Sequence, residues 1–78
     1  MWIRSQNKRI LSNVDEVLVT FVDENKCFIS GFWGTGTDTL GVYSSKCKAL
    51  MILDKIESYL EYSHNIVFQM PQDDDVGL

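Results

Sequence analysis

Two apolar segments separated by residues 23–26 constrain this chain more than any motif does. Val17–Val22 contains only β-branched residues, leucine and phenylalanine, which is typical of a strand. Cys27–Trp33 is similarly apolar, so the two segments predict a β-hairpin. With a four-residue turn, Val22 lies opposite Cys27, Phe21 opposite Phe28 and Val17 opposite Phe32.

Both faces of this predicted hairpin are apolar. Side chains alternate between the two faces of a strand, which gives one face Val17, Val19, Phe21, Phe28, Ser30 and Phe32, and the other Leu18, Thr20, Val22, Cys27, Ile29, Gly31 and Trp33. A hairpin with one wet face would alternate more clearly between apolar and polar residues. The second face therefore needs cover from the N-terminal segment, from curling of the sheet or from another chain.

One helix is predicted, over Ser45–Tyr62. Its apolar side chains recur every three or four residues and so lie on one side: Ala49, Ile52, Leu53, Ile56 and Leu60. Ser44 or Ser45 can cap its first turn. Asp54, Glu57 and Glu61 line up on the outer side, either as a solvated acidic face or as a contact for a basic partner.

The remaining strands are predicted to be short. They are Met1–Ser5, Ile10–Leu11, Thr39–Tyr43 and Asn65–Met70, with Leu40 and Val42 on one face of their strand and Tyr43 on the other. The order is β-β-β-β-β-α-β. We expect an α+β fold, a curved antiparallel sheet of about five or six strands with the helix packed on one face. Residues 1–71 form one domain and residues 72–78 an acidic flexible tail.

Composition excludes several classes of protein. The chain has 78 residues and a net charge of −4, which argues against sequence-independent nucleic-acid binding. No apolar run approaches the length of a membrane span, and no secretory signal is evident. Cys27 and Cys47 are expected to be reduced. Together these features predict a soluble, cytoplasmic protein.

Few residues suggest catalysis. The single histidine, His64, follows the helix, where such a residue usually caps or solvates the last carbonyls. Cys27, Cys47 and His64 lack the spacing of a zinc site, so we expect neither enzymatic activity nor a metal or cofactor. The glycine-rich segment 31–36 lacks the phosphate-loop pattern and predicts a hairpin turn. Arg4, Lys8 and Arg9 form a small basic group that either protects a sheet edge or contacts a phosphate or an acidic partner.

Three sequence features carry a resemblance to other proteins. They are the opening MWIRSQ, the segment LGVYSSK that leads into the helix, and FQMP near the end. Together they resemble a group of small uncharacterised proteins of Gram-positive bacteria and their phages. The resemblance implies one short α+β domain and no catalytic residue. By analogy it also implies a phage or prophage origin and binding to a host protein.

Two functions are compatible with the sequence. The first is a non-enzymatic interaction protein that forms a homodimer and binds an unidentified partner protein. Its contact residues would be the aromatic anchors Trp2, Trp33 and Tyr43 and the acidic stripe Asp54, Glu57 and Glu61.

The second function is a small-ligand or nucleotide binder that uses the Gly34–Thr37 turn. Its contact residues would be Arg4, Arg9, Trp33, Thr35 and Thr37, brought together within one chain or across a dimer interface.

Overall fold

The computed structural model describes residues 1–62 and 67–76. Six strands and one α-helix follow in the order β-β-β-β-β-α-β, which confirms the predicted α+β class. The elements are β1 (Trp2–Arg4), β2 (Leu11–Asn13), β3 (Glu16–Asp23), β4 (Lys26–Trp33), β5 (Gly36–Tyr43), α1 (Lys46–Tyr62), β6 (Phe68–Gln69) and a 3-10 turn (Asp73–Asp75). The predicted helix exit at residues 63–65 and the start of the predicted last strand lie outside the described residues.

The strands form two three-stranded sheets where one curved sheet was expected. The larger is the antiparallel meander β3-β4-β5, and the smaller has the order β2-β1-β6. In the smaller sheet β6 pairs with β1 in parallel, so the pairing is mixed where only antiparallel pairing was predicted. Because α1 returns the chain to β1, the last strand completes the smaller sheet and adds nothing to the hairpin.

The hairpin has a different register from the one predicted. Asp23 pairs with Lys26 across a two-residue turn, and Phe21 pairs with Cys27. The register shift between Phe21 and Asp23 leaves Val22 as a bulge. Because a one-residue slip moves a strand's side chains to the opposite face, Phe28 joins the face of Leu18, and Ile29 joins that of Val19.

One face of the β3-β4-β5 sheet, the inner face, packs against α1. Cys27, Ile29 and Tyr43 from the sheet and Ala49, Ile52 and Ile56 from the helix are all buried in one cluster. Ile3, Val14, Phe68 and Met70 extend this cluster to the smaller sheet. Three members of the predicted helix stripe, Ala49, Ile52 and Ile56, lie in the core. Leu53 is only partly buried and lines a groove beside the core, and Leu60 is 50% exposed. Tyr59 takes its place and meets Phe68 edge to face, with ring centroids 4.9 Å apart.

A second bulge changes the prediction for β5. The register of β4 and β5 shifts between Ile29 and Ser30, so Leu40 is an extra residue opposite them. Leu40 and Tyr43 are therefore both buried, whereas Val42 is 38% exposed. The simple alternation had put Leu40 with Val42, because a period of two does not anticipate a bulge.

The helix begins where the sequence indicated. The Ser45 hydroxyl accepts a hydrogen bond from the Lys48 backbone N–H (3.1 Å), which satisfies one of the free donors of the first turn.

Residues 72–76, predicted as part of a flexible tail, pack against the start of α1. Val76 is buried in the core. The Asp73 carboxylate accepts hydrogen bonds from the Ser44 N–H (2.8 Å) and hydroxyl (3.1 Å). The Lys48 ammonium donates to the Asp73 backbone carbonyl at 2.9 Å. The acidic run had suggested a solvated segment, but one of its carboxylates is placed by these donors.

The packing at Gly31 gives a test of this architecture. A Cβ atom there would lie 2.5 Å from Val14 Cγ1 and 3.0 Å from Leu40 Cδ1. Gly31→Ala is therefore expected to lower the free energy of unfolding by about 1–3 kcal/mol, because the core is overpacked. Urea denaturation measures this change.

Gly36→Ala is the matched control. The atoms nearest to a Cβ at Gly36 belong to the Trp33 ring. This ring is 43% exposed and can shift at the cost of its hydrogen bond to Asp38, so this variant should lose less stability than Gly31→Ala. Equal losses for both variants would contradict the packing at Gly31.

Candidate functional site

The outer face of the β3-β4-β5 sheet is an apolar surface that the described residues leave uncovered. Its apolar members are Leu18, Phe28, Phe32 and Val42, and Thr20, Ser30, Thr37 and Thr39 lie among them. Leu18 is 48% exposed, and Phe28 and Phe32 are half-buried. The Lys26 ammonium lies 5.3 Å from the centre of the Phe28 ring, close enough for a cation–π contact. The sequence had placed Phe28 and Phe32 with Phe21 on one face, whereas the observed register places them with Leu18 and leaves Phe21 on the other face.

The Gly34–Thr37 turn was predicted to bind a ligand. In the structure, the Trp33 and Thr37 side chains at this turn are engaged in contacts with neighbouring residues of the same hairpin. Trp33 Nε1 donates a hydrogen bond to Asp38 Oδ2 (2.8 Å), and the ring lies so close to Gly36 that a Cβ there would touch it. Asp38 Oδ2 also accepts a hydrogen bond from the Ser12 hydroxyl at 3.1 Å. The Thr37 hydroxyl donates to the Gly31 carbonyl. Trp33 and Thr37 thus stabilise the hairpin, and Thr35 is exposed at its tip.

The basic group forms a separate surface. Arg4, Lys8 and Arg9 border a shallow depression whose other walls are Ile10, Leu11 and Val67. Arg4 Nε donates to the Lys8 carbonyl at 3.1 Å, and Lys8 adopts a left-handed conformation (φ 66°). No residue of the Gly34–Thr37 turn lines this depression. Within one chain, the structure therefore does not bring together the two halves of the predicted ligand site.

Tyr43 is not available as a surface anchor, which corrects the sequence-based assignment. The side chain is only 1% exposed, and its hydroxyl donates a hydrogen bond to the Pro71 carbonyl at 2.7 Å. Burial raises the pKa of this hydroxyl well above its ordinary value, and the nearby negative charge of Asp73 adds to the effect. Tyr43 is therefore a neutral core residue that joins β5 to the segment after β6.

The other predicted contact residues lie on the surface but in different places. Trp2 is exposed on β1 and pairs with Asn13 of β2. Asp54, Glu57 and Glu61 are exposed on α1, as predicted. Glu57 differs from the other two because it borders an apolar groove between α1 and β3. The structure thus offers several separate surfaces, and the aromatic anchors do not form a single patch.

The groove between α1 and β3 was not anticipated from the sequence. It is lined by Met1, Val14, Asp15, Glu16, Val17, Leu53, Ile56, Glu57 and Leu60. A signal was present in the spacing of Lys46, Leu50, Leu53, Glu57 and Leu60, which recur every three or four residues along α1. This second stripe lies beside the core stripe on α1. Because Leu53 and Leu60 had been assigned to the core stripe, the sequence did not reveal it as a separate feature.

The described residues offer little for metal or thiol chemistry. Within residues 1–62 and 67–76, no three His, Cys, Asp or Glu side chains come together to hold a metal ion. Cys27 is buried and Cys47 is exposed, both as free thiols. His64 lies outside the described residues, so its proposed role at the helix end stays a prediction.

Comparison with known proteins gave no match to a family model, to a curated protein or to a solved structure. In the part of the chain that the structure describes, no helix is long and apolar enough to cross a membrane. The candidate sites therefore rest on the geometry of this chain alone.

Asp73 gives a prediction with a defined pH dependence. Folding lowers its pKa, chiefly because the Ser44 backbone N–H and then the Ser44 hydroxyl donate to the carboxylate, with a further contribution from the Lys48 charge. A lowered pKa means that the stabilisation is complete above the unfolded-state pKa of about 3.9. It is lost as the pH falls through the lower folded-state pKa.

Asp73→Asn is therefore expected to destabilise the protein by about 1 kcal/mol at pH 7, the usual size of such a capping interaction. The difference from wild type should shrink below about pH 4, as measured by urea denaturation at a series of pH values. Asp74→Asn, at an exposed neighbour, is the control and should change stability by less than about 0.5 kcal/mol. A difference that stays constant with pH would contradict the assignment.

Proposed function

We propose that this chain is a non-enzymatic interaction protein that forms a homodimer and binds another protein. The observation that supports this proposal is the uncovered outer face of Leu18, Phe28, Phe32 and Val42. A single helix covers the inner face of the same sheet. Contiguous exposed apolar surface is uncommon on monomeric proteins and typically marks an interaction site.

The composition of the outer face suits protein recognition. Phe28 and Phe32 supply large apolar contact area in its centre, and aromatic residues dominate interface energetics. The threonines and Ser30 between them offer hydroxyl groups that can hydrogen-bond to a partner backbone. Trp2 and Trp33 are exposed elsewhere and provide further anchors, whereas Tyr43 is withdrawn from this role by its burial.

The acidic side of α1 provides a second contact. Asp54, Glu57 and Glu61 are exposed on one side of the helix, and the chain carries a net charge of −4. A partner with a basic surface is therefore favoured by long-range electrostatic attraction. A phage or prophage origin and a host protein as the partner follow from the sequence resemblance alone.

The homodimer is tested by sedimentation velocity of the full chain at micromolar concentration. We expect a species of twice the 9.0 kDa chain mass. A monomer at this concentration would contradict the dimer but not the binding of a second protein.

Binding to another protein is tested with substitutions on the outer face. Val42→Lys should reduce the retention of proteins from a Gram-positive lysate on the immobilised chain, because a charge is then desolvated in the interface. Val67→Lys makes the same change at an exposed valine away from this face. This variant should hold back the same lysate proteins as the wild-type chain. Equal retention by the two variants would remove the outer face from the proposal.

A small-ligand binder is the second candidate, favoured by the depression at Arg4, Lys8 and Arg9. These cations can contact a phosphate, and Leu11 and Val67 can contact an apolar group such as a base. The exposed Thr35 and Trp33 lie outside this depression and would not contribute. A ligand that binds only the folded state raises the melting temperature.

A thermal-shift screen against nucleotides separates the two candidates. The ligand-binding function predicts stabilisation that Arg4→Ala or Arg9→Ala abolishes. The interaction function predicts no change in melting temperature with any nucleotide.

A further inference from the structure

The two edge strands of the β3-β4-β5 sheet, β5 and β3, differ in whether their outward-facing backbone groups have hydrogen-bond partners among the described residues. At β5 the Gln6 side-chain amide donates to the Val42 carbonyl and accepts from the Val42 N–H, both at 3.0 Å. The Gln6 backbone N–H also donates to the Leu40 carbonyl at 2.7 Å. The outer edge of β5 is thus occupied. At β3, no residue in the described ranges makes such backbone contacts on the side away from β4.

The free edge of β3 lacks most of the features that normally prevent pairing with another chain. Between Glu16 and Asp23 the strand contains no charged residue, proline or glycine, and its one bulge lies at Val22, next to the turn. In an antiparallel sheet, alternate residues of an edge strand direct their N–H and C=O groups outward. Such an edge is a template for another strand.

A stripe on α1 runs alongside this edge. Lys46, Leu50, Leu53, Glu57 and Leu60 form this stripe, which we term the edge stripe. At one end the Lys46 ammonium lies 4.6 Å from the centre of the Phe21 ring. At the other end Leu53, Glu57 and Leu60 line the groove together with Val17. Leu50 and Leu60 are both exposed.

We propose that a second copy of this chain pairs antiparallel with β3, with the two-fold axis passing through Val19. The proposal deepens the homodimer of the proposed function by naming its interface. A two-fold axis normal to the sheet keeps each side chain on its own face. Val19 then lies opposite its own copy, Phe21 opposite the partner's Val17, and Leu18 opposite the partner's Thr20.

One charge pair, Lys46 with the partner's Glu57, favours a second copy as the occupant, whereas the same register also brings Asp15 and Glu16 beside the partner's Asp23 at the exposed ends of the strand. Lys46 lies over Phe21, and Glu57 and Val17 line the same groove. Because Phe21 is opposite the partner's Val17, the same rotation brings Lys46 to the partner's Glu57. The complementary contact forms twice, once at each end of the interface. Leu50 and Leu53 fall between these charges and meet the corresponding leucines of the partner.

The spacing of a sheet allows the helices to meet. Paired strands are about 4.8 Å apart, and α1 contacts β3 and β4 most and β5 less. A helix placed over these strands lies roughly 5–7 Å from the two-fold axis, which sets the two helix axes roughly 10–14 Å apart. This separation is at or just beyond the usual packing distance of helices, within reach of long side chains that extend from both. The dimer thus joins two three-stranded sheets into one of six strands and makes the two outer faces continuous.

Disulfide trapping tests the proposed register. Val19→Cys is made in a Cys47→Ser background, so that the only other thiol is the buried Cys27. Directly opposed residues have Cα atoms about 4.5–5.5 Å apart, within reach of a disulfide. Oxidation should therefore link most of the Val19→Cys chains into covalent dimers, as seen on non-reducing gels.

Leu18→Cys in the same background is the matched control. Its copy in the partner is displaced by two residues along the strand, at a Cα separation of about 7–8 Å, which a disulfide does not bridge without backbone movement. Leu18→Cys should therefore form covalent dimers much more slowly than Val19→Cys.

A charge exchange tests the contact between the helices. Lys46→Glu and Glu57→Lys should each raise the dimer dissociation constant by about tenfold, because like charges then face each other. The double variant should restore the wild-type value to within about threefold. Lys55→Glu, an exposed charge reversal away from the edge stripe, should leave the constant unchanged.

The outcomes separate this interface from the proposed function. A wild-type dimer in which Val19→Cys links no faster than Leu18→Cys, or in which the double variant fails to recover, overturns the β3 interface and leaves the homodimer standing. A wild-type monomer overturns both. Far-UV circular dichroism of each variant shows whether the monomer remains folded, so that loss of the dimer is not confused with unfolding.

Discussion

The structure depends on the burial of one sheet face beneath one helix. Ala49, Ile52 and Ile56 of α1 cover Cys27 and Ile29 of the sheet, and in a chain of 78 residues this contact supplies much of the available core. Small domains bury a limited fraction of their surface. A helix has one apolar side, and α1 uses it on the inner face, so residues 1–62 and 67–76 leave the outer face of the sheet uncovered.

The smaller sheet and the segment after β6 add further residues to this core and pack at its margins. The smaller sheet contributes Ile3 and Phe68 to the same cluster. The segment after β6 adds Val76 and places Asp73 against Ser44 at the beginning of the helix. These contacts join parts of the chain that are distant in sequence, and they explain why a run of three aspartates has an ordered position.

The candidate sites could be predicted only in part, because exposure depends on register. The sequence identified aromatic residues and an acidic helix side as contacts, and it placed Trp2, Trp33 and Glu57 on what proved to be the surface. It assigned Tyr43 wrongly, because the face of β5 that carries Tyr43 is the one that packs into the core with α1. It also grouped Arg4 and Arg9 with the Gly34–Thr37 turn, which lies elsewhere in the same chain. Local sequence patterns do not indicate which distant segments come close together.

The sequence by itself determined the order of the elements, the extent and cap of α1 and the presence of two apolar faces on one hairpin. These features follow from side-chain periodicity and capping, which act over a few neighbouring residues. Tertiary structure decided the division into two sheets, the parallel pairing of β6 and the face on which Phe28 lies. It also decided that Gln6 occupies one sheet edge, while none of the residues that the structure describes pairs with the outer edge of β3. These outcomes depend on bulges and on contacts between distant residues, whose free energies are settled only when the whole chain packs together.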